Sequence, residues 1–129
     1  MSHHVKTFMP KFWEAVRTGT KTQTVRPTPK RDIKPGDTIS LRHWTEKPYR
    51  SKQGILEEGV ITGVMPIFIN SVGIHIGKTG SWHVVNMEDF AKADGFTSWE
   101  EMRDWFESTH SLPFKGILIQ WELNPTTKP

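Results

Sequence analysis

The segment "ILEEGVITGVMPIFI", residues 55–69, constrains this chain more than any other. It is β-branched and apolar, which favours a strand, but Gly59, Gly63 and Pro66 break it. Glycine weakens a strand interior and proline cannot donate to a ladder, so the breaks read as bulges or corners in a curved sheet. The neighbouring segments agree. "TISLRHW" (38–44) follows the turn "KPGD" and alternates Ile39, Leu41 and His43 against Ser40, Arg42 and Trp44, as a half-buried strand does. "SVGIHIGKTGSWHVV" (71–85) reads as two short strands about a Gly-bearing turn, and "FKGILIQWEL" (114–123) as a closing strand.

Three stretches carry helical patterns instead. In "MPKFWEAVRTGTK" Pro10 suits the first turn, Phe12, Trp13 and Val16 form an apolar stripe, and Gly19 suits the position just past the end. "NMEDFAKADG" starts at a capping Asn86 and stops near Gly95. "SWEEMRDWFESTH" has Ser98 and Glu101 at capping-box spacing, with Trp99, Met102, Trp105 and Phe106 on one face, a pattern read here as core. The sum is an α+β chain of five to seven strands with Gly-marked bends, a small barrel, and about three helices. Two of those helices fall between the penultimate and last strands. The 129 residues suffice for a single domain, with residues 1–6 and 124–129 expected as tails.

Composition excludes several classes. There is no Cys, hence no disulfide framework, thiolate nucleophile or zinc-thiolate site. The six His show no metal spacing, His3 and His4 falling in the expected tail, and no metal or cofactor is expected. No run approaches a membrane span, and "MSHHVKTF" lacks the apolar core of a secretory signal, so a cytoplasmic protein without a membrane partner is expected. Charge is unevenly placed: ten basic residues against three acidic ones lie between Arg17 and Lys52, whereas residues 86–110 hold seven acidic and two basic ones. A basic half containing aromatics suits a phosphate-bearing or nucleobase partner, though ordinary solvated charge gives the same count.

The polar stretch "GTKTQTVRP" (19–27) follows the first helix. Thr22, Thr24 and Arg26 would share one strand face, either a solvated surface or the floor of a site. Lys21 and Thr24, three apart, would face opposite sides of a regular strand, and converge only if Lys21 precedes it.

"GTKTQTVR" followed by "KPGDTISL" resembles the start of the ASCH family, whose members pair a G-x-K-T-x-T-x-R stretch with a K-x-G-D strand entry. "FAKADGFTSWEEMRDWF" and "GILIQWEL" resemble that family's helical insertion and last strand, so the similarity spans roughly residues 8–123. The resemblance implies a PUA-like bent β-barrel beside a cleft. It also implies the activity of the family's stand-alone members, amidohydrolases that remove acyl groups from N4-acetylcytidine and related nucleosides. Their Lys and Thr correspond to Lys21 and Thr24. Their downstream Glu falls on Asp94, whose carboxylate is one methylene, about 1.5 Å, further back. Glu88, Asp89 and Glu100 are the other acids available for the third role.

Amide hydrolysis needs a nucleophile, a proton acceptor, a donor for the leaving nitrogen and oxyanion stabilisation. Thr24 is the nucleophile if a neutral Lys21 deprotonates it. If Asp94 touches Lys21, the ammonium persists as stabiliser or acid and the carboxylate activates water. Trp44, Tyr49 and Phe96 are candidates for the wall around a cytosine-like ring, and Arg26, Arg42 and Arg50 for its polar contacts. The competing expectation is a binding module for single-stranded RNA or a modified base, without chemistry.

Overall fold

The computed structural model describes residues 2–44, 52–78, 81–84 and 86–123. Its elements run β1 (His3–Thr7), α1 (Pro10–Thr18), β2 (Gln23–Arg26), β3 (Thr38–Trp44), β4 (Gln53–Asn70), β5 (Gly73–Lys78), β6 (Ser81–Val84), α2 (Met87–Ala93), α3 (Trp99–His110) and β7 (Phe114–Leu123). This is an α+β fold with one mixed seven-stranded sheet and three helices, two of them between β6 and β7.

The interrupted segment becomes part of one 18-residue strand. The first half of β4 pairs with β3, its end pairs with β5, and β7 follows it antiparallel along the other edge. Both long ladders slip register, β4–β7 between Ile61 and Gly63 and β3–β4 between Leu41 and Arg42. Slips of this kind bend and twist a strand. Gly59 is required by close approach, since a Cβ there would lie 2.3 Å from the Glu122 carbonyl oxygen. β2 adds to the far edge of β7.

One expectation fails at the N-terminus. Residues 3–6 are not tail but belong to β1, which pairs parallel with β3. His4 is 4% exposed; its Nε2 lies 2.9 Å from Asp37 Oδ2, and the Ser2 amide donates to Asp37 Oδ1 at 3.0 Å. A short polar sequence gave no apolar signal for a strand. Asp37, at the close of the "KPGD" turn, is the tether that holds it. The expected tail at 124–129 lies outside the described residues.

The helices cover the core. Phe12 and Val16 of α1, Phe90 and Ala91 of α2, and Trp99, Met102 and Phe106 of α3 are buried against Ile39, Leu41, Ile67 and Leu118 of the sheet. Asn86 and Ser98 cap α2 and α3 as their positions foretold, accepting from the amides of Asp89 and Glu101. Among the described residues no helix is long and apolar enough to cross a membrane.

Candidate active site

α1 ends at Gly19, and β2 does not begin until Gln23, so Lys21 lies on the connection between them. Backbone bonds from three directions hold that connection. The Lys21 amide donates to the Ala15 carbonyl at 2.9 Å and the Thr22 amide to the Ala93 carbonyl at 3.1 Å. The Trp121 amide donates to the Thr22 carbonyl at 3.2 Å. The clamp turns the Lys21 side chain inward, where it is 2% exposed. Thr24 sits within β2 opposite Ile119 and is also buried. Because Lys21 precedes the regular strand, side chains three apart reach the same hollow.

Asp94 follows the last turn of α2, its amide donating to the Phe90 carbonyl at 3.0 Å. Lys21 Nζ donates to the Asp94 main-chain oxygen and lies 3.6 Å from Asp94 Oδ1. The next residue, Gly95, has φ +96°, and a Cβ there would come within 3.0 Å of Lys21 Cδ and of Phe12 Cδ1. The "ADG" turn thus lets the backbone itself approach the lysine. The Phe12 and Phe8 ring centroids are 4.8 and 5.7 Å from Nζ.

Burial dominates the electrostatics. It pushes the Lys21 ammonium down to about 8, opposed by the adjacent Asp94 charge and assisted by Arg26. Burial likewise pushes the Asp94 carboxyl up to about 6, opposed by Lys21 and Arg26. The Gln23 side chain also faces the Asp94 carboxyl, and neither Gln23 Nε2 nor Asp94 Oδ1 makes a close hydrogen bond among the described residues. Arg26 completes the group. Its Nε donates to Thr24 Oγ1 at 3.1 Å, one Nη donates to the Thr7 carbonyl at 2.7 Å, and its Cζ lies 4.9 Å from the Phe8 centroid.

These side chains line one cavity of about 620 Å³. Of the residues singled out from sequence, Lys21, Thr24, Arg26, Trp44, Asp94 and Phe96 all border it. Arg42 does not. Its guanidinium is held within the sheet by Ser40 Oγ at 2.8 Å and Gln53 Oε1 at 3.2 Å, which corrects the expectation that it contacts a ligand. Tyr49 and Arg50 lie outside the described residues. Glu88, Asp89 and Glu100 are exposed and away from the cavity, and Glu88 instead accepts from the Trp99 amide at 3.2 Å.

Sequence reasoning missed several walls. Trp13, Trp105, Phe106 and His110 border the cavity. From sequence Trp105 and Phe106 read as core, and Phe106 is buried in it, but both also border the cavity. A helical apolar stripe looks the same whether it meets packed side chains or an empty hollow, so the pattern carried no signal for this. Trp13 is fixed by its indole N–H donating to the Phe8 carbonyl at 2.8 Å. His110 has its ring 4.9 Å from Phe114 and 5.6 Å from Phe106, and burial followed by the Arg26 charge holds its imidazole below the ordinary histidine range. Among the described residues no three His, Asp or Glu side chains gather as metal ligands.

No family model matches the chain, and no curated protein matches it. One solved structure is similar in fold. The crystal structure of hypothetical protein PH0355 aligns with a TM-score of 0.54 over 96% of this chain and 100% of that one, at 14% sequence identity. At that identity the similarity concerns the fold alone.

Proposed function

We propose that this chain is an ASCH-type, PUA-like bent barrel acting as an amidohydrolase on N4-acylated cytidine or deoxycytidine. The observation that carries the proposal is the buried Lys21–Asp94 pair on the wall of an aromatic cavity. A buried pair that served only to brace the fold would have no reason to border a hollow, and desolvating it is expensive. Perturbed ionisable groups in a cleft are the usual mark of a chemical role.

The contact between Lys21 and Asp94 supports the reading in which Lys21 acts as ammonium. Asp94 then accepts a proton from water, and the resulting hydroxide attacks the acyl carbon. The oxyanion forms beside the Lys21 ammonium and the Arg26 guanidinium. Collapse breaks the C–N bond while Lys21 supplies a proton to the departing cytosine nitrogen, yielding cytidine and a carboxylic acid. Thr24, oriented by Arg26, hydrogen-bonds the reacting carbonyl region, and the rings of Phe8, Trp44 and Trp105 offer apolar surface to the base and acyl group.

The test is incubation with N4-acetylcytidine and chromatographic measurement of cytidine. Release is expected from the wild type, reduced by about 10²- to 10⁴-fold in Lys21→Ala and in Asp94→Asn. No cytidine at micromolar enzyme, or full activity in Lys21→Ala, would overturn the assignment. The other reading, a binding module for single-stranded RNA, draws on the basic residues between Arg17 and Lys52. It predicts salt-sensitive affinity for an oligonucleotide without turnover.

A further inference from the structure

Beside the cavity, one face of β1 and its continuation carries His4, Lys6 and Phe8, since alternate residues of an extended chain share a side. The Phe8 amide extends the β1–β3 pairing by donating to the Arg42 carbonyl at 2.9 Å. Cations gather along this face. At one end an Arg31 Nη donates to the His3 carbonyl and, at 3.0 Å, to His4 Nδ1, which leaves His4 Nε2 to donate to Asp37. At the other end the Arg26 guanidinium lies over the Phe8 ring and reaches into the cavity wall.

Along the strand Lys6 lies between the anchor points of the two arginines, the His3 and Thr7 carbonyls, which are about 13 Å apart. Its side chain is half-buried and has no hydrogen bond or ion pair among the described residues. Burial, and then the charges of Arg26 and Arg31, hold its ammonium below the usual lysine range. The acid bonded into this cluster, Asp37, is already engaged by His4 at 2.9 Å, the Ser2 amide at 3.0 Å and the Lys34 amide at 3.1 Å. A half-desolvated ammonium flanked by two guanidiniums is unfavourable unless an anion joins it. Lys6 is two residues, about 6–7 Å of strand, from the cavity-lining Phe8.

We infer that Lys6, with Arg31 on one side and Arg26 on the cavity side, forms a phosphate site beside the cavity, so that the preferred ligand is a nucleotide and not a bare nucleoside. This deepens the function proposed above and rests on the cavity being a nucleoside site. The phosphate satisfies Lys6 and Arg31 while the base enters between the rings of the cavity, with Arg26 lying between the two parts.

Binding does not require turnover, so the test is independent of hydrolysis. Cytidine, cytidine 5′-monophosphate, cytidine 3′-monophosphate and inorganic phosphate are titrated against the intact protein by calorimetry at low salt. One monophosphate is expected to bind about tenfold tighter than cytidine and than phosphate alone, with the advantage shrinking as salt rises. Lys6→Gln and, separately, the exposed-site change Arg31→Gln are expected to cut that advantage to about threefold or less. Lys92→Gln, on the outer surface of α2, should leave it intact. Equal affinity for cytidine and both monophosphates, or no binding of either, overturns the inference. So does inorganic phosphate binding as tightly as the nucleotide, or both Lys6→Gln and Arg31→Gln keeping the full preference. A nucleotide preference without hydrolysis of N4-acetylcytidine would sustain the phosphate site while removing the amidohydrolase proposal.

Discussion

The proposed chemistry turns on the side chains at positions 21 and 94, and their ionisation gives it a pH signature. The proposed mechanism needs Asp94 as carboxylate and Lys21 as ammonium, so kcat/KM should rise through about 6 and fall through about 8. A rate that only climbs through about 8 would instead assign neutral Lys21 as the base that activates Thr24. The same values carry a stability cost. Between the unfolded carboxyl value near 4 and about 6 the native state binds more protons than the unfolded one, so stability falls with pH. Above about 8 the native lysine binds fewer, and stability recovers toward the unfolded lysine range. The pair is therefore least stabilising between about pH 6 and 8. In urea unfolding at pH 7, Lys21→Met alone should lose about 3–5 kcal/mol by stranding a buried carboxylate, while Lys21→Met with Asp94→Asn should lose markedly less. Approximate additivity of the two changes would show that the groups are uncoupled.

Elements position that pair by where they stop. α1 ends at Gly19 and β2 starts at Gln23, which leaves Lys21 free of strand alternation, while α2 ends at Ala93 and presents the Asp94 backbone. Gly95 has two independent reasons to be glycine, a left-handed φ and the 3.0 Å approach to Lys21 and Phe12. Gly95→Ala should cost about 1–2 kcal/mol from the backbone alone, visible as several degrees in Tm, and should displace Lys21 and lower the rate as well. A second αL glycine offers a contrast. Gly19 has φ +81° with nothing near its would-be Cβ, so Gly19→Ala should lose stability with less effect on the rate. Helices with capping residues and apolar stripes were legible in the sequence, because capping and burial are local or periodic. β1 was not, because its strand identity comes from pairing with β3 and from the His4–Asp37 contact, 33 residues apart.

At the scale of the molecule, the N-terminal strand closes one edge of the sheet and carries both Phe8 at the cavity and the cations beside it. Removing residues 1–6 should therefore lower the urea midpoint by about 1 M or more, and not leave it unchanged as a tail would. Asp37 is held far below the ordinary carboxyl range, chiefly by its bond to His4 and then by the Ser2 amide. Its contribution is present above about pH 4 and lost as acid protonates it, so the truncated protein should show a weaker acid-induced loss of stability between neutral pH and about pH 3. By itself the sequence determined the α+β class, the bent sheet, the helix limits and the motif around Lys21 and Thr24, since periodicity, capping and turn chemistry act over a few residues. Tertiary structure decided that Asp94 and not Glu88, Asp89 or Glu100 meets Lys21, that Arg42 is bound up in the sheet, and that Trp105 faces a hollow. Those outcomes depend on segments tens of residues apart converging in space, and no local pattern records the distance between them.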